Sequence, residues 1–299
     1  MSTILAVLAL AAAAAPGLLM SPAELAAALE DPATVVVAVG NSEADFVAGH
    51  IPNARFVRYS DIAIDADGLS SELPPIDQIR KVMTAAGIGD KSKVVIYGTP
   101  IAAARMFFTL DYIGHSGVKV LNGGLAAWKA NGGAIEAAPA PKVTAGTLTP
   151  KAQPHRAVSA DWIKERLAST VRQAQGRPEQ SRGAGTMTLL DARPDAEFTG
   201  ADGGMNGAHV KGHLPGARQL AWNSLLDATG KYLPDAELRK KFEAIGADPK
   251  VPLVSYCMVG MRASVTYFVA RHLGYDARMY DGSIVDWSRR KLPAVMGRQ

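Results

Sequence analysis

The sequence holds one cysteine, Cys257, at the end of the apolar run Leu253-Val254-Ser255-Tyr256 and just before a pattern that reads as a helix from about Arg262 toward His272. The run has the length of a strand. A thiol at that junction lies where the carboxyl end of a parallel strand meets the amino end of a helix. Free N–H groups and the positive dipole end there favour the thiolate. The segment Cys257-Met258-Val259-Gly260-Met261-Arg262 is a short loop able to curl its amides around a sulfur atom, with Gly260 permitting the turn. The chemistry this predicts is nucleophilic attack by sulfur, although a cysteine placed elsewhere is more often an inert, buried small hydrophobe. Two arginines, Arg262 in the loop and Arg193 in Leu189-Leu190-Asp191-Ala192-Arg193, offer guanidinium forks to an anionic substrate. The competing role for Arg262 is to brace the loop by a salt bridge, with Asp191 as partner. Asp191 itself is expected to support Arg193 or Arg262, since a carboxylate beside a thiolate would keep the thiol protonated. Met258, Val259 and Met261 are expected to give the cleft an apolar rim. His209 and His213 have helical ligand spacing, but Gly207 and Gly212 surround them and a third ligand is missing, so no metal is expected.

Positioning such a loop takes a sheet and helices, and the chain has the material for two sets. Its 299 residues suffice for two domains, and 48% hydrophobic with 20% charged residues is a globular balance. A single cysteine excludes an intramolecular disulfide, a cysteine-rich zinc site and a dithiol redox motif. The formal charge of +4 gathers into no basic run, which argues against a nucleic-acid partner and leaves a small anion open. Three matches recur in the same order in both halves: Gly49-His50-Ile51-Pro52-Asn53-Ala54-Arg55 with Gly212-His213-Leu214-Pro215-Gly216-Ala217-Arg218; Lys93-Val94-Val95-Ile96-Tyr97 with Val251-Pro252-Leu253-Val254-Ser255-Tyr256; and Gly123-Gly124 leading to Trp128 with Asp281-Gly282-Ser283 leading to Trp287. Co-linear matches this far apart mean a duplicated domain. Within each half, short β-branched runs (Val35 to Val39, Val94 to Tyr97, Val118 to Leu121) alternate with amphipathic stretches (Ile76 to Ala86, Ala102 to Tyr112), as in an α/β fold with a mainly parallel sheet flanked by helices. The expected division is residues 18–137, a Pro-rich linker over 138–154, and 155–299, with insertions over 173–185 and 200–212 in the second half only. Residues 1–17, with the apolar run Ile4 to Ala15 ended by Pro16 and Gly17, read as a signal peptide. That implies a periplasmic protein with no stable membrane association after processing, and a monomer is expected; a cytoplasmic protein with an apolar N-terminal helix is the alternative.

The loop C-x-x-G-x-R after an apolar strand, preceded by Asp191-Ala192-Arg193 and Gly212-His213-Leu214-Pro215 and followed by Tyr280-Asp281-Gly282-Ser283, resembles a catalytic rhodanese domain. The whole chain is similar to the tandem-domain sulfurtransferases. The resemblance implies that Cys257 takes a sulfane sulfur from a small anionic donor, holds it as a persulfide without a cofactor, and passes it to a thiophilic acceptor such as cyanide or a thiol. In the first half the nucleophile position is Gly98, and Val39 and Asn41 align with Asp191 and Arg193, so that half is expected to be a silent scaffold. The loop is one residue shorter than that of the phosphatases sharing this fold, which leaves phosphate or arsenate chemistry as the remotest alternative. Mercaptopyruvate-using relatives carry small and hydroxyl residues after the cysteine, whereas Met258, Val259, Met261 and Arg262 stand here, so thiosulfate is the expected donor. A 3-mercaptopyruvate sulfurtransferase and a non-catalytic sulfur-binding or sensing module are the other readings.

Overall fold

Runs such as Thr34-Val35-Val36-Val37-Ala38-Val39 and Leu253-Val254-Ser255-Tyr256 carry no alternation of polar and apolar residues, which suits strands covered on both faces. The computed structural model describes residues 17–175, 187–203 and 211–298, and such strands form the centres of two sheets. The expected signal segment and most of both second-half insertions lie outside the described residues.

The first half contains β1 (Leu19–Met20), α1 (Pro22–Ala28), β2 (Thr34–Gly40), α2 (Glu43–Ala48), β3 (Arg55–Arg58), β4 (Ile64–Ala66), β5 (Leu69–Glu72), α3 (Ile76–Ala85), β6 (Lys93–Gly98), α4 (Pro100–Tyr112), β7 (Val118–Leu121) and α5 (Gly124–Ala130). Its sheet is parallel, in the order β1-β7-β6-β2-β3, while β4 and β5 form a separate antiparallel hairpin. The second half contains α6 (Ala160–Gln175), β8 (Thr188–Asp191), α7 (Asp195–Thr199), β9 (Arg218–Gln219), α8 (Asp235–Ala244), β10 (Leu253–Tyr256), α9 (Ala263–His272), β11 (Ala277–Met279) and α10 (Ser283–Arg289). Its parallel sheet runs β11-β10-β8-β9, and a parallel bridge from Ala157 to Met279 takes the place that β1 has in the first half.

The duplication reaches individual side chains. His50 stacks on Phe46 at 3.9 Å and His213 on Phe198 at 3.8 Å. The Tyr97 hydroxyl accepts the Ile51 N–H, as Tyr256 accepts that of Leu214. Trp128 donates to the Ala134 carbonyl and Trp287 to that of Pro293. The Gly-His-Ile/Leu-Pro signature is therefore a packing device common to both halves. Sheet register corrects one detail of the internal alignment. Ala38 pairs with Tyr97 where Asp191 pairs with Tyr256, so Ala38 and Gly40, not Val39 and Asn41, occupy the places of Asp191 and Arg193. The turn into α2 is one residue longer than that into α7, which shifts a count made through Phe46 and Phe198.

The halves meet along α4 and α9. Phe107 packs edge-on to Phe268 at 5.0 Å and Phe108 to Tyr267 at 4.9 Å, within a core cluster that runs through both halves. Burying four aromatic rings supplies both area and preferred edge-to-face geometry. Polar clamps close the seam: Asp111 accepts from the Tyr267 hydroxyl (2.5 Å) and Arg271 Nε (2.8 Å), and Arg105 pairs with Asp281 (2.6 Å). Residues 138–153 form no regular element yet are bound to the first half, with Gly146 N–H on the Thr84 carbonyl and Lys151 N–H on that of Ile113.

Candidate active site

Cys257 directly follows β10, as the run Leu253 to Tyr256 predicts, and α9 begins at Ala263 with Arg262 at its N-cap. The thiol is fully buried. Its loop is sewn to the start of α10 by one side chain. Ser283 Oγ accepts the N–H of Cys257 (3.1 Å) and of Gly260 (3.0 Å) and donates to the Tyr280 carbonyl (2.9 Å). Ser283 has φ +52°, rare for a residue with a β-carbon, and Gly124 has φ +55° at the matching place in the first half. A serine is thus held in a glycine-like conformation where its hydroxyl meets the nucleophile loop. Gly260, at φ +81°, turns the chain, and a β-carbon there would collide with the Asp281 carboxylate.

The predicted site residues divide into two groups. Arg262 reaches the region of the thiol: burial alone would lower its pKa, but its Glu197 hydrogen bond and then Cys257 raise it above the ordinary value. Its brace is Glu197, bidentate at 2.6 and 2.8 Å, and not Asp191. Asp191 is taken by Arg193, which it holds at Nε and Nη2 with contacts of 2.6 to 3.1 Å. Both are fully buried, and Arg193 Nη2 also donates to the Gly212 carbonyl at 2.7 Å. Arg193 is therefore an internal brace from β8 to the Gly212 turn, with Nη1 the guanidinium nitrogen left without a hydrogen-bond partner. The apolar rim also needs correction: Met258 is core, packed in one cluster with Tyr280, Ile284 and Trp287, while Val259 and Met261 are half-buried.

The structure adds residues that no sequence motif assigns to the site. Ser283 and Asp281 belong to a motif read only as a landmark. Glu197 sits on α7. From the first half come Arg105, Tyr59, Ser71 and Glu72. Burial pushes the Tyr59 hydroxyl up, Arg105 pulls it back, and Cys257 is among the charges that raise it. Glu72, with one carboxylate oxygen buried and unpartnered, is pushed up to about 7 by burial and by the Asp281 charge, against the pull of Arg105. The signal for these was a lone basic residue, Arg105, in the middle of an apolar helix. The first half thus lines the neighbourhood of the thiol. Its own nucleophile position is closed, since a β-carbon on Gly98 would collide with the Val39 carbonyl.

Comparison with known proteins agrees with this architecture. The rhodanese-like domain model matches residues 21–131 and again 170–290. A thiosulfate sulfurtransferase of Corynebacterium glutamicum is 31% identical over 293 residues, spanning 94% of this chain and 91% of that one. A mitochondrial thiosulfate/3-mercaptopyruvate sulfurtransferase of Arabidopsis thaliana is 27% identical over 267 residues, spanning 82% of this chain and 66% of that one. The crystal structure of the Tum1 protein from Saccharomyces cerevisiae shares the fold, with a TM-score of 0.79 over 94% of this chain and 98% of that one at 20% identity. The anaerobic ergothioneine biosynthesis enzyme from Chlorobium limicola does so with a TM-score of 0.80 over 95% and 71% at 23% identity. With two copies of the domain, one holding the thiol loop and one closed at the same place, the chain belongs to the rhodanese-like domain family.

Proposed function

We propose that the protein is a sulfurtransferase that moves sulfane sulfur from thiosulfate to cyanide or a thiol through a persulfide on Cys257. The observation that carries this reading is the sole cysteine of the chain, set between β10 and α9 in a loop tied down by Ser283, with the Arg262 guanidinium electrostatically coupled to it. The Cys257 thiolate attacks the outer sulfur of thiosulfate, the S–S bond of the donor breaks, and sulfite leaves with the electron pair. Cyanide then attacks the outer sulfur of the persulfide, the new S–S bond breaks, and thiocyanate departs as the thiolate returns. This is double displacement with a covalent enzyme intermediate. Arg262, rigidly aimed by Glu197, holds the sulfonate end of the donor, and Arg193 keeps β8 in place. The donor choice rests on a compact dianion suiting one fixed guanidinium, whereas the half-buried Val259 and Met261 offer no hydroxyl to the carbonyl of a ketoacid.

Incubation with thiosulfate followed by intact mass spectrometry tests the reading. The protein is expected to gain one sulfur and Cys257→Ser none; absence of the adduct with every sulfane donor overturns it in favour of a non-catalytic module. The relative from Arabidopsis thaliana is named for both donors, so kcat/KM for thiosulfate and for 3-mercaptopyruvate, with cyanide as acceptor, decides the donor. The larger value is expected for thiosulfate.

A further inference from the structure

Arg105 lies in mid-helix on α4 among Ala102, Ala103, Ala104, Met106, Phe107 and Phe108, and it is fully buried. Its Nη1 and Nη2 donate to the two oxygens of Asp281 at 2.6 and 3.0 Å, and its Nε donates to the Ile62 carbonyl at 3.2 Å. Asp281 Oδ2 also accepts the Leu73 N–H at 2.7 Å. The same carboxylate occupies the space that a β-carbon on Gly260 would take, within the nucleophile loop. A buried carboxylate so placed disfavours a nearby thiolate and repels a dianionic donor, unless a positive charge cancels it.

The first half holds an internal control. Asn122 precedes Gly123 and Gly124 as Asp281 precedes Gly282 and Ser283. Asn122 Oδ1 accepts the Tyr232 N–H at 2.8 Å from the other half, in the way Asp281 accepts that of Leu73. A neutral amide therefore suffices to join the halves at this position. The charged pair occurs only at the junction that carries Cys257.

We propose that Arg105, in the half that has no nucleophile, is a positioning residue for the reaction: through Asp281 it fixes the Cys257 loop and cancels the carboxylate charge that would otherwise suppress the thiolate. The proposal rests on Cys257 being the nucleophile. The titratable groups about the loop are Arg262 from the start of α9 and Tyr59 from the turn after β3, both of which interact electrostatically with Cys257, Asp281 ahead of α10, which lies against Gly260, and Glu72 of β5, which faces Asp281 and Arg105.

Because Cys257 is the only cysteine, its ionisation can be followed as the ultraviolet absorbance of the thiolate against pH, with Cys257→Ser as the blank. This readout involves no sulfur donor, so its outcome is separate from that of the mass-spectrometric test. Arg105→Gln is expected to raise the midpoint by about one pH unit. Adding Asp281→Asn to it should return the midpoint close to the native value, and Arg105→Lys, which keeps the charge, should stay near it. Repeating the series with Glu72→Gln separates that carboxyl's titration from the thiol's. A native midpoint in folded Arg105→Gln, or a midpoint that stays raised in the double variant, overturns the proposal. Should Arg105→Gln not fold, Asp281→Asn alone decides: it leaves Arg105 uncancelled and is expected to lower the midpoint, and an unchanged or raised midpoint refutes the charge argument.

Discussion

Arg262, which interacts with the thiol, and Glu72, which faces the Arg105 and Asp281 pair, are side chains whose chemistry can be varied separately. Arg262→Ala removes the guanidinium and strands the Glu197 carboxylate, itself mostly buried, beside the nucleophile. We expect kcat/KM for thiosulfate to fall by about 1.5–3 kcal/mol of transition-state stabilisation, the range for a charged hydrogen bond, and an unaffected variant would remove Arg262 from the reaction. Glu197→Gln, which keeps the side chain's shape but not its charge, should lose less. Glu72 makes a separate prediction about stability. Its carboxyl titrates at about 7 in the folded protein against 4.5 ordinarily. Between those values the folded chain keeps a proton that the unfolded chain gives up. Its contribution is thus present below pH 4.5 and is lost as pH rises toward 7. Glu72→Gln should be more stable than the native protein at pH 8 by about 1–2 kcal/mol, a figure reduced for the partial exposure of the group. Chemical denaturation at pH 4 and pH 8 checks it: the difference should vanish at the lower pH.

At the scale of elements, the thiol loop is held by the start of α10 as well as by α9. Ser283→Ala leaves two buried N–H groups, those of Cys257 and Gly260, without their acceptor, and each such loss costs about 1–3 kcal/mol. Gly260→Ala meets both a left-handed φ of +81° and the Asp281 carboxylate. We expect Ser283→Ala to unfold at a lower temperature with impaired persulfide formation, and Gly260→Ala to be the worse of the two in both assays. The strand, loop and helix around Cys257 were legible in the sequence because each is a contiguous pattern, and β10 spans the predicted Leu253–Tyr256. Asp191 as a support for an arginine was legible, but the sequence leaves Arg193 and Arg262 both open, and the fold gives it to Arg193, two residues on and on the same face at the strand end. The Arg262 to Glu197 pairing was not: α7 and α9 are brought together by the fold, and Asp191 is as plausible a partner on charge alone. The role of Ser283 is not legible in the sequence, because it depends on φ +52°, which the letters Asp-Gly-Ser do not announce. Met258 looked like a rim residue because a loop position says nothing of the core beneath it.

At the scale of the whole molecule, the halves are clamped to each other along α4 and α9. The duplication was visible from co-linear motifs, but the seam was not, since no local pattern says which apolar helix faces which. Its consequences fall on the second half. Residues 155–299 alone would expose Tyr267 and Phe268, both fully buried in the intact chain. They would also deprive Asp281 of Arg105 and of the Leu73 N–H, leaving a carboxylate unpaired beside the thiol loop. An exposed aromatic face of this kind is an aggregation surface, and breaking a buried pair by removing one partner costs about 3–5 kcal/mol. We therefore expect the fragment 155–299 to be insoluble or unable to form the persulfide, measured by sedimentation and intact mass; a soluble fragment as active as the full chain would refute the scaffold role. Supplying a thiol is not expected to give the first half chemistry. Gly98 has no room for a β-carbon against the Val39 carbonyl, and its place in the sheet lacks charged residues at Ala38 and Gly40 where Asp191 and Arg193 stand in the other half. Gly98→Cys, combined with Cys257→Ser, is expected to lower the melting temperature and to gain no sulfur from thiosulfate. A sulfur adduct on that double variant would show that the silent half had kept a working cradle.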